Sequence, residues 1–128
     1  MKFHLKHGLL WISVELIYDG KIYNIDNCII DTGAATSAID IDLIPFNYNK
    51  PATVRQLIGI GGGKQEVVVQ SIDAIKIANQ LIENIDIEFG DLKVDYGING
   101  FIGTDLLSQF DLAINFSDFE LLLKKLPI

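Results

Sequence analysis

Cysteine is nearly absent from this chain: Cys28 stands alone among 128 residues, so no disulfide can form within one molecule and a reducing compartment is the simpler setting. Cys28 sits in an apolar run without a CxxC spacing, which reads as a small core side chain rather than a reactive thiol. Positive charge is scarce as well. Ten Lys and Arg stand against 17 Asp and Glu, for a formal charge of −7, and Lys124-Lys125 is the only basic doublet. Without clustered cations to displace counterions, partnership with nucleic acid or with an anionic membrane is disfavoured. No apolar run approaches the roughly 18 residues of a membrane span. The stretch from Lys2 to Leu16 has the outline of a signal peptide, but Glu15 interrupts it and no small-residue cleavage site follows. The expectation is therefore a cytoplasmic protein. Low-complexity segments and Pro/Ser-rich linkers are missing too. With 49% hydrophobic residues and 11 glycines, the composition predicts one mostly β domain over residues 1–128.

What is present is a series of short alternating runs. Leu10, Ile12, Val14, Leu16 and Tyr18 alternate with more polar positions, the period of a half-buried strand, and Asp19-Gly20 supplies a two-residue turn. The return strand, Lys21 to Ile30, becomes apolar on both faces at Cys28-Ile29-Ile30 and carries Asp31 inward to Asp31-Thr32-Gly33. Small residues follow, then a short irregular or helical piece over Asp40–Ile44 that Pro45 ends. Val54 to Ile58 and Glu66 to Ile72 flank the glycine-rich tip Gly59-Ile60-Gly61-Gly62-Gly63. A second hairpin joins Asp73–Ile77 to Leu81–Phe89 through Ala78-Asn79-Gln80. Beyond Phe101-Ile102-Gly103, Thr104 or Asp105 caps a short helix through Phe110. A last hairpin runs from Leu112 to Phe116 and from Phe119 to Leu126 across Ser117-Asp118.

Asp-Thr-Gly alone describes an ordinary turn in which the Asp accepts backbone hydrogen bonds. In combination it says more. Ile29-Ile30-Asp31-Thr32-Gly33-Ala34, the tip Gly59 to Lys64, and Gly100-Phe101-Ile102-Gly103-Thr104-Asp105-Leu106-Leu107 together resemble the retropepsin-like aspartic proteases, over about Leu9 to Leu123. The resemblance implies a closed, β-barrel-like acid-protease fold with a hairpin flap at about residues 53–72 and one short C-terminal helix. It implies an aspartic endopeptidase acting on extended polypeptides with apolar residues at the cleavage point, as a homodimer in which each subunit gives one Asp31. Two carboxylates in near contact cannot both ionise, so one acts as base while the other stays protonated, and the pair titrates as a unit. By the same resemblance Thr32 and Gly33 support the dyad, and Gly33, Ala34, Ala35, Ile60, Gly61 and Gly62 meet the substrate. Phe101, Ile102 and Gly103 brace the Asp31 turn. Neither a cofactor nor a metal is implied. Acid-optimum relatives often carry Ser or Thr where this chain has Ala34, so an optimum nearer mild acidity is expected. Retroviral members pair an Asp with an Arg at the positions of Ala35 and Thr104; losing both together places the chain nearer cellular or bacterial members.

Other motifs read more simply. Gly59 to Lys64 fails the phosphate-loop spacing, lacks the Ser/Thr after Lys64 and precedes a strand. His4 and His7 lack further ligands at metal-site spacing. Trp11 and Phe101 read as core or interface, and Asp105 as a helix-start acid rather than a second catalytic carboxylate. In the resembled family the chain ends form an intersubunit sheet, so Met1–Lys6 and Leu121–Ile128, with Leu121-Leu122-Leu123 as an apolar seam, are the expected dimer strands. The alternative function is a catalytically idle dimer that binds peptide or protein in the same cleft.

Overall fold

Alternation of apolar and polar residues gives most of the chain to strands. The computed structural model describes residues 1–58, 64–92 and 97–127. Along it run β1 (His4–Lys6), β2 (Leu9–Tyr18), β3 (Lys21–Ile30), β4 (Ala38–Asp40), β5 (Thr53–Ile58), β6 (Lys64–Ile77), β7 (Gln80–Gly90) and β8 (Gly100–Ile102), then α1 (Thr104–Leu107), β9 (Phe110–Asn115) and β10 (Glu120–Lys125). The first eight strands form one sheet in the order β1-β2-β3-β8-β4-β7-β6-β5, and β2 also pairs with β6, so the sheet curls back on itself into a partial ring. β9 and β10 form a separate two-stranded sheet. The fold is thus mostly β with one short helix, as expected.

Turn chemistry sets the hairpins. Asp19 and Gly20 both take positive φ, 49° and 75°, a mirror-image turn whose twist suits the flanking strands. Ala78 and Asn79 do the same at 47° and 67°, so the β6–β7 turn has two residues rather than the predicted three. The predicted break before Asp73 is also absent: β6 runs unbroken from Lys64 to Ile77. It changes partners instead, pairing with β5 over Lys64–Val69, with β7 from Val68 onward, and with β2 at Ala74–Lys76. Asp73 is an exposed strand residue whose carboxylate accepts from the Gly20 amide at 2.9 Å.

The ring encloses Leu16, Tyr18, Ile39, Ile75, Ile87, Phe89, Ile102, Leu106 and Leu121, all at most 2% exposed. Burial of each such side chain contributes about 1.5–3 kcal/mol before its entropy cost. The one phenol among them is satisfied: Tyr18 donates to Gln70 and accepts from the Asn47 amide, and Gln70 in turn donates to the Asn47 carbonyl. This ties the segment after β4 to the core.

The chain ends depart from expectation. Residues 1–3 lie along β10 of the same molecule: the Leu121 amide donates to the Met1 carbonyl at 2.8 Å, and the Phe3 amide to the Phe119 carbonyl at 3.0 Å. Lys2 pairs with Glu120 at 3.2 Å, and the buried Phe3 ring packs edge-on against Phe116 and Phe119. Leu121 and Leu123 are buried in their own chain, and only Leu122 of the predicted seam is exposed. Residues 1–3 and residues 119–121 thus engage one another within the chain, while β1 is an edge strand paired with β2. Among the described residues, the outer edge of β9 has no backbone partner. No helix is long and apolar enough to cross a membrane.

Candidate functional site

A bulge aims the site. Register slips between Ile12↔Cys28 and Val14↔Ile25, so Asp26 and Asn27 together stand opposite Ser13. Asn27 absorbs the extra residue at φ 56°, and Ser13 donates to Asp26 at 2.9 Å. After this shift Cys28 and Ile30 face the main core while Ile29 joins a second apolar cluster with Trp11 and Ile98. Strand alternation sends Asp31 to the same side as Ile29.

Asp31 then opens a tight loop. Its amide donates to the Ile102 carbonyl at 2.9 Å, which extends the parallel β3–β8 pairing by one residue. Its own carbonyl accepts from the Ala34 amide at 3.1 Å, and its Oδ1 accepts from the Gly33 amide at 3.0 Å. The carboxylate is half-buried; Thr32, Gly33 and Ala35 are exposed and Ala34 is half-buried. Thr32 has no side-chain hydrogen bond to any described residue.

The far side of the loop rests on α1. The Ala34 carbonyl accepts from both the Thr104 amide at 2.8 Å and the Thr104 hydroxyl at 3.2 Å. Gly103 passes so close that a Cβ there would lie 2.6 Å from the Ala34 oxygen and 2.9 Å from that of Thr36. Only glycine permits that approach. Ser37, 1% exposed, accepts from the Gly103 amide at 2.8 Å and donates to Asp105 at 2.7 Å, while its own amide donates to the other Asp105 oxygen at 2.9 Å. Asp105 is thus spent on Ser37 and on the Leu106 amide. The helix start differs from expectation for the same reason. Its N-cap is Gly103 and it ends at Leu107, because the side chains of Thr104 and Asp105 are turned to the loop.

On the Asp31 side of the sheet, Trp11, Ile29 and Phe101 lie side by side across β2, β3 and β8. Ile98, Leu9 and Phe101 complete this cluster, Leu9 and Phe101 only half-buried. Phe101 therefore belongs to this surface, whereas Ile102 is in the core. The Ile29/Asp31 spacing of two residues was the signal for it. Two further residues escaped sequence reasoning: Ser37, and Glu88, whose carboxylate is buried and paired with Arg55 at 3.1 Å. Nothing in Ile87-Glu88-Phe89 marks Glu88 as an interior position.

Ile60, Gly61 and Gly62, the expected flap tip, lie outside the described residues; their arms β5 and β6 are paired in register from Thr53↔Val69 to Ile58↔Lys64. Burial pushes the Cys28 thiol up to about 12, with the nearby Asp26 carboxylate adding to it, so it stays protonated and is no nucleophile. His4 lies on β1 and His7 in the turn after it, and among the described residues no three His, Cys, Asp or Glu side chains are grouped to hold a metal. A cleft of about 750 Å³ lies along β1, Trp11 and Phe119, and Asp31 is not part of its lining. A smaller one of about 320 Å³ lies beside the loop, lined by Thr36, Ser37, Arg55, Glu88 and Asp105 among others.

Comparison with known proteins agrees with this geometry. The family model for retroviral aspartyl proteases matches residues 9–115. The crystal structure of a retropepsin-like aspartic protease from Rickettsia conorii aligns with a TM-score of 0.60 at 17% identity, covering 96% of this chain and 87% of that one, a likeness of fold. No curated protein matches the sequence significantly.

Proposed function

The chain belongs to the retroviral aspartyl protease family, and from that premise we propose that it is an endopeptidase active as a homodimer, with Asp31 of each subunit forming one shared dyad. The carrying observation is the single carboxylate. Asp31 sits at the mouth of a loop fixed from two sides, half-exposed, with no second acid among the described residues hydrogen-bonded to it. One such group cannot serve as base and acid together, and a two-fold axis supplies the other.

In this reading one Asp31 takes a proton from a water that attacks the scissile carbonyl, and the partner's Asp31, protonated, hydrogen-bonds the carbonyl oxygen. The tetrahedral intermediate collapses as a proton passes to the leaving amine. The Gly33 amide holds the carboxylate, and in this reading the exposed Thr32 bonds across the axis through its hydroxyl. Gly33, Ala34 and Ala35 offer backbone to an extended peptide, Ile60, Gly61 and Gly62 cover it, and Ile102 and Gly103 brace the turn. Phe101 and Leu9, the partly exposed members of the cluster around Trp11 and Ile29, favour apolar residues next to the cleaved bond. Residues 1–128 act as one domain with the flap at about 53–72. The intersubunit sheet forms on the outer edge of β9, which among the described residues has no backbone partner, whereas residues 1–3 already lie along Phe119, Glu120 and Leu121 of their own chain; an unpaired strand edge is a ready template for another strand.

Incubation with an unfolded polypeptide across pH, with Asp31→Asn as control, tests this. Cleavage that the substitution abolishes is expected. Peptide binding without cleavage at any pH would instead assign the cleft to a binding module.

A further inference from the structure

Glu88 is 3% exposed in the middle of the curled sheet, a costly place for a carboxylate unless something holds it there for a reason. Its partner comes from the opposite margin. Arg55 lies on β5, the outermost strand, in register with Val67 of β6, and its guanidinium reaches across β6 to Glu88 on β7 at 3.1 Å. Glu88 is also fastened to the loop that begins at Asp31: its amide donates to the Ser37 carbonyl at 3.1 Å, and it stands opposite Ala38 in the parallel β4–β7 pair. Ser37 in turn holds Gly103 and Asp105. A continuous path of polar contacts therefore runs from the outer arm of the β5–β6 hairpin, through Glu88 and Ser37, to the turn that carries Asp31.

We propose that Arg55 is a positioning residue, which through Glu88 fixes the β5 arm relative to the Asp31 loop. Packing alone leaves that arm weakly held. Among the described residues β5 is an edge strand whose one partner is β6, and its residues Thr53 to Gln56 are exposed, so few apolar contacts oppose local opening. Among the described residues the Arg55–Glu88 ion pair is the charged tie from β5 to a strand other than its neighbour. Its benefit is registration rather than global stability, because a buried carboxylate paired with a half-exposed guanidinium gains little net free energy. For the catalytic consequence the proposal rests on the peptidase reading above; the mechanical part does not.

The test combines amide hydrogen exchange with steady-state kinetics on a peptide of at least eight residues. Three variants are compared: Arg55→Ala, Arg55→Lys, and the double Arg55→Ala/Glu88→Gln, which leaves no buried unpaired charge. Arg55→Ala should speed exchange of the β5 amides by about tenfold and leave β2 and β3 unchanged. KM should rise several-fold while kcat changes less than about twofold, the pattern of lost positioning of bound substrate. Arg55→Lys should recover part of both effects. The double variant should regain unfolding stability but keep the fast β5 exchange and the raised KM. Unchanged β5 exchange in Arg55→Ala would overturn the proposal, as would a double variant whose β5 exchange and KM return together with stability. If the unaltered protein cleaves no peptide, the peptidase reading falls, and the exchange comparison still decides whether Arg55 holds β5.

Discussion

The Ser37 hydroxyl donates to Asp105 at 2.7 Å while accepting from the Gly103 amide at 2.8 Å, so one buried oxygen joins the loop that follows Asp31 to the start of α1. Retroviral relatives are expected to make this joint with an Asp–Arg pair. Here Ala35 and Thr104 stand at those positions, Thr104 bonding the Ala34 carbonyl and Ser37 with Asp105 carrying the remaining tie. The loop keeps its anchorage without a cation.

Ser37→Ala should therefore be costly for so small a change. It leaves the buried Gly103 amide without its acceptor and takes from Asp105 Oδ1 one of its two donors, the Leu106 amide remaining, which predicts a loss of about 1–3 kcal/mol in denaturant unfolding. Ser37→Thr, which keeps the hydroxyl, should lose less. A Ser37→Ala protein as stable as the parent would mean that the loop is held elsewhere.

This network also marks the limit of what the residues disclose by themselves. The alternation of β2, the Asp19-Gly20 turn and the apolar end of β3 follow from local physics, and so the delivery of Asp31 was legible. β4 was not: Ala38–Asp40 is three residues long and exists because β7 and β8 both pair with it. The unbroken β6 was hidden by Asp73, a turn-forming residue type that here faces solvent on a strand. Glu88 carried no mark of burial, because alternation does not reveal that the Arg of another strand pairs with it. The cis pairing of residues 1–3 with β10 spans nearly the whole sequence, a separation at which no local pattern speaks.

Gly103→Ala tests the close approach beneath the Asp31 turn. Its Cβ would meet two backbone oxygens, those of Ala34 and Thr36, at 2.6 and 2.9 Å, and backbone cannot rotate away as a side chain can. Overpacking of this kind costs about 1–3 kcal/mol. The expected result is a lowered thermal midpoint together with lost cleavage, because the shift is transmitted directly to the loop. Gly8→Ala is the comparison, since a Cβ there meets nothing within 4 Å and only its φ of 73° opposes the change; it should retain activity.

Cys28 supplies a pH prediction. In the folded chain its thiol is raised from 9.0 to about 12 by burial and by Asp26. Below pH 9 both folded and unfolded chains keep the proton. As pH rises from about 9 toward 12 the unfolded chain releases it and the folded chain does not, so stability falls through that window. Unfolding midpoints measured from pH 8 to 11 should decline, and less so in Cys28→Ala. In native buffer near neutrality a thiol reagent should react only as fast as the protein opens, and immediately in denaturant.

The shared dyad is the central claim, and mixing subunits tests it most directly. The parent protein is combined with Asp31→Asn at fixed total concentration, the subunits are allowed to exchange, and cleavage of an unfolded polypeptide is followed as the parent fraction is lowered. If each active site needs Asp31 from both copies, activity falls as the square of that fraction, to about one quarter in an equal mixture. A linear fall, to about one half, would mean that each chain works with its own carboxylate alone and would contradict the account.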